Sequence, residues 1–160
     1  MLINIVGGLP MKKRFIYLMI FTMLFSYISI GGLEYHHEIN SIEYLLNQRI
    51  EIMNEFLYGI KDMNLLNEKL INIEADKLLN NDLDILKKIA DNPTDFELAM
   101  NVKVDKIHSL ERTESGININ ADLNWKMSGY EGEFNMVRNY DINCIEEDKQ
   151  MYLTSLVLNN

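Results

Sequence analysis

The sequence predicts an α+β protein in which an N-terminal membrane helix precedes about three helices packed on a four-stranded antiparallel meander sheet. An uncharged apolar run, Phe15–Leu33, directly follows the basic residues Lys12, Lys13 and Arg14. Beyond it, apolar residues first recur at three- and four-residue steps and then alternate with polar ones, which are the periods of helices and strands. Helices followed by a run of strands is the element order of an α+β domain.

The apolar run predicts where the rest of the chain lies. A bilayer core of roughly 30 Å needs about 20 apolar residues in a helix, and Phe15–Leu33 reaches that length. Basic residues on its N-terminal side keep the N-terminus in the cytoplasm and place the chain from Glu34 onward outside. A cleavable signal peptide is the alternative, since Ser29 and Gly31 have the small-residue spacing of a cleavage site. The predicted location is the cell membrane, single-pass with the C-terminal domain outside, or the exterior after cleavage.

Two segments follow from this prediction. Residues 1–33 form the leader, and residues 34–160 form one extracytoplasmic domain of about 125 residues, a usual domain size. The first ten residues carry no charge, whereas Met11 begins the basic stretch typical of a secretory leader. We therefore hypothesise that translation starts at Met11 and not at Met1.

The predicted extracytoplasmic segment is strongly acidic. All 24 acidic residues lie at or after Glu34, together with 12 of the 15 basic residues, which leaves an excess of 12 negative charges. This surface disfavours nucleic acid, whose phosphates require cationic contacts, and it disfavours anionic lipid headgroups. Cys144 is the single cysteine, so no intrachain disulfide is expected, and its place in a strand pattern predicts a small buried hydrophobe.

Three helices are predicted before residue 93. The first carries an apolar stripe that starts at Ile39, and Gly59 is its expected C-terminal stop. Asp62 or Asn64 is expected to cap a second helix that extends to about Leu79.

The third helix is expected to start at a cap on Asn81 and to bury Leu83, Leu86 and Ile89. It must end before Pro93, because the residue that precedes a proline is driven out of the α region.

Four strands are predicted after Pro93, with turns at residues 114–116, 129–132 and 146–149. The first starts at Phe96 and contains a bulge near Asp105, where the alternation shifts. The second, Ile117–Met127, alternates most regularly, and the third is Phe134–Cys144. The fourth, Tyr152–Leu158, is apolar on both faces and is therefore expected at the centre of the sheet. One face of the sheet is expected to be covered by the helices, and the other, lined by asparagines and charged residues, to be solvated.

The order of helices and then long antiparallel strands resembles the cone-shaped nuclear transport factor 2-like and cystatin-like superfamilies, in particular small membrane-anchored or exported proteins of Gram-positive bacteria. The resemblance spans Glu38 to Leu158 and rests on element order, with a simpler helix-on-sheet sandwich as the alternative. Enzymes of this superfamily place an acid or a histidine inside the cone. Here Glu97, Asp122 and Asp141 fall on the polar alternation. His108, near the expected bulge, is interpreted as an exposed or edge histidine.

A type IV pilin or pseudopilin is also similar in outline, with a basic leader, an apolar helix and a four-stranded sheet. The pilin processing site has a glycine before the apolar run and a glutamate inside it. In this sequence Arg14 precedes Phe15, and Phe15–Leu33 contains no acid.

No motif predicts a cofactor, metal or catalytic residue. His36, His37 and Glu38 are adjacent, whereas metal-binding pairs on a helix are spaced i, i+3 or i, i+4. No glycine-rich loop joins a strand to a helix, and no serine lies in a Gly-x-Ser-x-Gly context.

The aromatic residues of the second hairpin give the one candidate site. Trp125 and Phe134 are expected in the core, whereas Tyr130, in the loop between Gly129 and Gly132, is the candidate contact with a partner. The predicted function is a non-enzymatic, membrane-anchored binding or scaffolding protein with an envelope protein partner. The alternatives are a pilin-like assembly subunit and, third, a small enzyme with a cone-shaped apolar pocket. The oligomeric state is left open.

Overall fold

The computed structural model describes residues 36–59, 62–91 and 97–159. The predicted leader, residues 1–33 with the apolar run Phe15–Leu33, lies outside these ranges. The chain divides into two compact units, residues 1–39 and 40–160, and the second is the α+β domain. Within the described ranges, none of the helices is both long enough and apolar enough for a bilayer crossing.

The helices α1 (residues 36–57), α2 (Met63–Leu70) and α3 (Asp76–Asp91) precede the sheet. Gly59 follows α1 with a φ of +124°, which confirms it as the predicted stop. The Asp62 side chain accepts hydrogen bonds from the backbone N–H groups of Asn64 and Leu65, at 3.0 and 3.2 Å, and is the predicted N-cap of α2.

The predicted boundary between the second and third helices is wrong. The sequence pattern extends α2 to about Leu79 and starts a third helix at Asn81, but α2 ends at Leu70. Residues Ile73–Ala75 are used for pairing with a strand: Leu153 N donates to the Ile73 carbonyl at 2.8 Å, and Ala75 N donates to the Leu153 carbonyl at 2.9 Å. This pairing replaces little more than one turn of the predicted helix, residues 71–75, and no local sequence pattern predicts it.

The strands β1 (Leu98–Arg112), β2 (Gly116–Gly129), β3 (Gly132–Glu147) and β4 (Gln150–Leu158) form an antiparallel sheet in the order β1-β2-β3-β4, the predicted meander. The register of β1 shifts at Asp105, between Val104 and Lys106, where a bulge was expected.

The central position predicted for the fourth strand is wrong, because β4 lies at the edge of the sheet. Its apolar residues on both faces have another cause. Leu153 is fully buried where β4 meets Ile73–Ala75, while Val157 and Leu158, beyond that contact, are exposed. Leu153 belongs to the inner face, whereas Val157, opposite Asp141, lies on the outer face and is exposed, so the apolar residue on that side does not indicate burial.

The two faces of the sheet match the prediction. The inner face packs against the helices and buries one side of β2: Ile117, Ile119, Ala121, Leu123 and Trp125. The same core contains buried residues of α1, α2 and α3: Ile42, Leu46, Ile50, Phe56, Leu66, Leu70, Leu78 and Leu86. Cys144 is buried there, and burial raises the pKa of its thiol to about 12. The opposite side of β2, which we call the outer face of the sheet, carries asparagine, aspartate and lysine.

Polar side chains of α1 cover the outer edge of β1. Asn47 donates to the Val102 carbonyl at 2.8 Å and accepts from Val102 N at 3.0 Å, as a neighbouring strand does. Asn54 donates to the Ala99 carbonyl at 2.8 Å, and Glu43 accepts from Val104 N at 2.7 Å. These contacts satisfy backbone groups that an edge strand otherwise leaves open.

Candidate partner-binding surface

The outer face of the sheet carries a connected set of polar side chains, which we call the polar array. Five members lie on β1, β2 and β3, and the sixth directly follows β4: His108, Asn120, Asp122, Asn139, Asp141 and Asn159. They adjoin because Asn120 is opposite Asp141 in the register of β2 and β3, and Asp122 is opposite Asn139. Period-two alternation along regular strands therefore puts them on one face.

The contacts within the polar array run across the strands. Asn120 Nδ2 donates to Asp141 Oδ1 at 2.6 Å and to Asn139 Oδ1 at 3.1 Å. Asn139 Nδ2 donates to Asp122 Oδ1 at 2.9 Å and to Asn120 Oδ1 at 3.2 Å. Asn159 Nδ2 donates to Asn139 Oδ1 at 2.8 Å. The array is thus ordered before any partner binds.

His108 and Asp122 form the charged end of the polar array. His108 Nε2 lies 2.9 Å from Asp122 Oδ1, and both side chains remain partly exposed. The hydrogen bonds from Asn139 and then from His108 lower the pKa of Asp122. His108 lies on an edge strand and is exposed, as predicted. Asp122 and Asp141 both lie on the outer face, also as predicted, so neither points into the core.

The tip of the second hairpin presents Tyr130. Gly129 and Gly132 are paired across the turn, and Tyr130 between them is fully exposed. Gly132 has a φ of +115°, a backbone conformation that favours glycine. The structure therefore places the predicted contact residue where a partner can reach it.

The aromatic residues behind the tip divide between two environments. Trp125 is buried, as predicted, and its ring lies 5.7 Å from that of Tyr140 at 55°. The prediction that Phe134 lies in the core is wrong, because 41% of its surface is exposed. Phe134 pairs with Met127, two residue pairs closer to the turn than the buried Trp125. The alternation of apolar and polar residues predicts on which face of the sheet Phe134 lies. It does not predict how far along β3 the helices cover that face.

A buried ionic cluster lies among the helices, and sequence reasoning missed it. Arg49 of α1 makes a bidentate contact with Asp82 of α3, with Nε to Oδ2 at 2.5 Å and Nη2 to Oδ1 at 2.8 Å. Arg49 Nε also lies 3.1 Å from Glu74 Oε1. The side chains of Glu74 and Asp82 are 0% and 1% exposed. Asp82 lies four residues after Leu78 and four before Leu86, on the buried side of α3, and this spacing was the available signal.

Burial raises the pKa of Glu74 to about 8, and the Asp82 carboxylate adds to this shift while Arg49 opposes it. Such a carboxyl group holds a proton at neutral pH and is chemically able to exchange it. However, the side chains of Glu74 and Asp82 are closed off from solvent. The arrangement is therefore that of an internal neutral cluster, in which one Arg balances one carboxylate.

An open groove of about 670 Å³ runs between α1 and the start of β1. Its walls include Glu51, Tyr58 and Met100, together with Glu55, which is paired with Lys69. The groove contains neither a histidine nor a member of the buried cluster among the residues that line it. In the described part of the chain, no three His, Cys, Asp or Glu residues are arranged to hold a metal ion.

The comparisons with known proteins give structural likeness alone. No family model matches the sequence, and no curated protein matches it. The intermembrane space region of the chloroplast protein ARC6 is similar with a TM-score of 0.48 and 12% identity, over 75% of this chain and 95% of that one. A de novo designed β-sheet protein is similar with a TM-score of 0.34 and 10% identity, over 75% of this chain and 88% of that one.

Proposed function

We propose that the protein is a non-enzymatic binding domain held outside the membrane by its N-terminal apolar run. In this proposal, an envelope protein binds along the outer face, across the polar array and the hairpin tip, which lies seven residue pairs further along β2 and β3. The α+β domain supplies a rigid sheet, and Tyr130 supplies an exposed aromatic side chain of the kind enriched in binding interfaces.

The polar array is the observation that carries this proposal. Hydrogen bonds between partly exposed side chains add little to stability, because water competes for the same groups. Yet six side chains are held in register by strand pairing and bond to one another across the strands, so that their positions are fixed on a partly exposed face. A pre-ordered polar surface reduces the entropy that is lost on association. Recognition is therefore a better account of the array than folding is.

Site-specific photocrosslinking tests the surface in cells that make the protein. A photoreactive amino acid replaces Tyr130 in the full chain, and the matched control carries it at Tyr44, which is 63% exposed on α1. We expect one discrete crosslinked species from position 130 and none of that size from position 44. Equal crosslinking from both positions would count against the proposal.

A second variant separates the array from the tip. Replacing both Asn120 and Asn139 with alanine in the chain that carries the probe at position 130 is expected to reduce the crosslinked species about tenfold. An unchanged yield would remove the array from the interface and leave only the tip.

The proposed location has an independent test. Protease added to intact cells from which the outer layers have been removed should degrade the domain and spare cytoplasmic markers. Recovery of the intact chain in the cytosolic fraction would overturn both the location and the envelope partner.

A further inference from the structure

β3 extends past the end of its neighbour β4 on the side of the hairpin tip. Its N-terminal half pairs with β2 from Ser128 back to Asp122. β4 pairs with β3 only from Tyr140 onward, and within the described ranges the sheet has no further strand on that side. Residues 133–138, which we call the open edge, therefore have a strand neighbour on one side only.

The backbone groups of the open edge point away from β2 at alternate residues. The Asn139 carbonyl accepts from Asn159 N at 2.9 Å, so the groups of Asn139 point to the β4 side. Backbone direction alternates along an antiparallel strand, and the register of β2 and β3 continues to the turn without a shift. The N–H and C=O groups of Glu133, Asn135 and Val137 consequently point to the same side.

Exposed apolar side chains flank the open edge. Phe134 and Val137 lie on it and are 41% and 45% exposed, and Val157 and Leu158, at the end of β4, are 53% and 46% exposed. The opposite edge of the sheet is covered by α1 side chains. On this edge, Arg138 Nη1 donates to the Val137 carbonyl at 3.3 Å, and no helix side chain bonds to the described residues 133–138. An edge with unpaired backbone groups and exposed apolar side chains is a template for an added strand.

We propose that the open edge is a dimer interface, in which the same edge of a second copy pairs with it antiparallel about Asn135. The stretch is suited to a two-fold axis at Asn135, because Glu133 and Val137 lie two residues to either side with backbone groups that point outward. Pairing Asn135 with its counterpart places Glu133 opposite Val137. About six backbone hydrogen bonds form, and two sheets become one.

Side-chain chemistry favours a second copy as the occupant. In this register, Phe134 faces Met136 of the other copy, which is a favourable aromatic–thioether contact. Arg138 faces Gly132 of the other copy, so no charged side chain lies directly opposite it. Glu133 lies on the other face of the sheet, where it keeps its ion pair with Lys126 at 2.7 Å. No like charges are directly opposite, although the whole chain carries a net charge of −9.

Thiol crosslinking of the purified full chain in detergent tests the register. Asn135→Cys puts two thiols on Cα atoms about 5.5 Å apart across the dimer axis, within reach of a short bismaleimide. Asn143→Cys is the matched control, since Asn143 is exposed on the same face of β3 but paired with Ser155 of β4. Cys144 is buried and its thiol pKa is about 12, so it should not react. We expect covalent dimers from Asn135→Cys and few from Asn143→Cys, and equal yields overturn the proposal.

A pair of charge variants makes the test specific to the proposed pairing. In the Asn135→Cys chain, Val137→Glu places a carboxylate opposite Glu133 of the other copy, twice per dimer, whereas Val137→Lys places an ammonium group there. We expect the dimer yield to fall about fivefold or more for the glutamate variant and to be retained for the lysine variant. Circular dichroism establishes that both fold. An equal fall, or no fall, in the two variants contradicts this register, and neither result bears on the envelope partner.

Discussion

Two polar clusters lie on opposite sides of one sheet, and they differ in what holds them in place. The Arg49–Glu74–Asp82 cluster is enclosed by helices, where a charge without its partner is costly. The polar array on the outer face is in contact with solvent, where water replaces any lost partner at little cost. The fold therefore needs all the partners of the inner cluster, whereas it tolerates the loss of a partner in the polar array, whose side chains are free to serve in binding.

The largest expected effect comes from removing the cation of the inner cluster. Arg49→Leu leaves Asp82 buried without its bidentate partner and should lower the free energy of unfolding by about 3–5 kcal/mol. Urea unfolding followed by Trp125 fluorescence measures it. The control is Lys77→Leu on the exposed side of α3, for which a change below about 0.5 kcal/mol is expected. Similar losses of unfolding free energy in the two variants would show that the burial of the ion pair does not cause the loss.

Raising the pH is expected to weaken the inner cluster. The pKa of Glu74 is about 8 in the fold and about 4.3 in an unfolded chain, so folding takes up a proton between these values. Stability from this group is complete below about pH 4, falls as the pH rises toward 8, and is lost above it, by a few kcal/mol in all.

Glu74→Gln isolates this contribution, because it keeps the neutral form at every pH. The difference in unfolding free energy between the variant and the natural chain should grow in favour of the variant from pH 5 to pH 8. A difference that stays constant over that range would show that Glu74 does not titrate as the structure indicates.

A smaller loss is expected at the covered edge of β1. Asn47→Ala leaves the N–H and C=O groups of Val102 without their side-chain partner, which should cost about 1–3 kcal/mol. Asn80→Ala is the matched control, because Asn80 bonds only locally, to the Asp76 carbonyl one turn earlier in α3. Equal effects of the two substitutions would show that helix propensity, and not cover of the edge, governs the change.

The smallest effect on stability is expected in the polar array. Asn139→Ala should change the free energy of unfolding by less than about 1 kcal/mol, because solvent reaches its partners. The same substitution removes the main hydrogen bond that lowers the pKa of Asp122, so that pKa should move up toward its ordinary value. Carboxyl NMR titration measures the shift. A large decrease in the free energy of unfolding would show that the polar array, like the inner cluster, is needed for stability.

Sequence periodicity predicted the meander, the bulge at Asp105 and the solvated face that holds Asp122 and Asp141. It succeeded because one buried face forces alternation, and a shift of one residue would expose the whole apolar side of a strand. The exposure of Tyr130 could be predicted for a similar local reason, since Gly129 and Gly132 mark the turn that carries it.

Contacts between distant residues decided the rest. Arg49 and Asp82 are 33 residues apart, and Asn47 and Val102 are 55 apart, so nothing local indicates either pair. The break between α2 and α3 coincides with the pairing of Ile73–Ala75 with Leu153, some 80 residues later in the chain.

The order of apolar and polar residues was enough to predict which face of each strand is buried, where the turns of the sheet fall and which charged residues of β2 and β3 lie on the solvated face. These features depend on neighbours within a few residues. Only the tertiary structure decided which charges are paired in the interior, which edge of the sheet is covered and which stays open. Those outcomes depend on where packed helices and strands end relative to one another, which is set by contacts between residues far apart in the sequence.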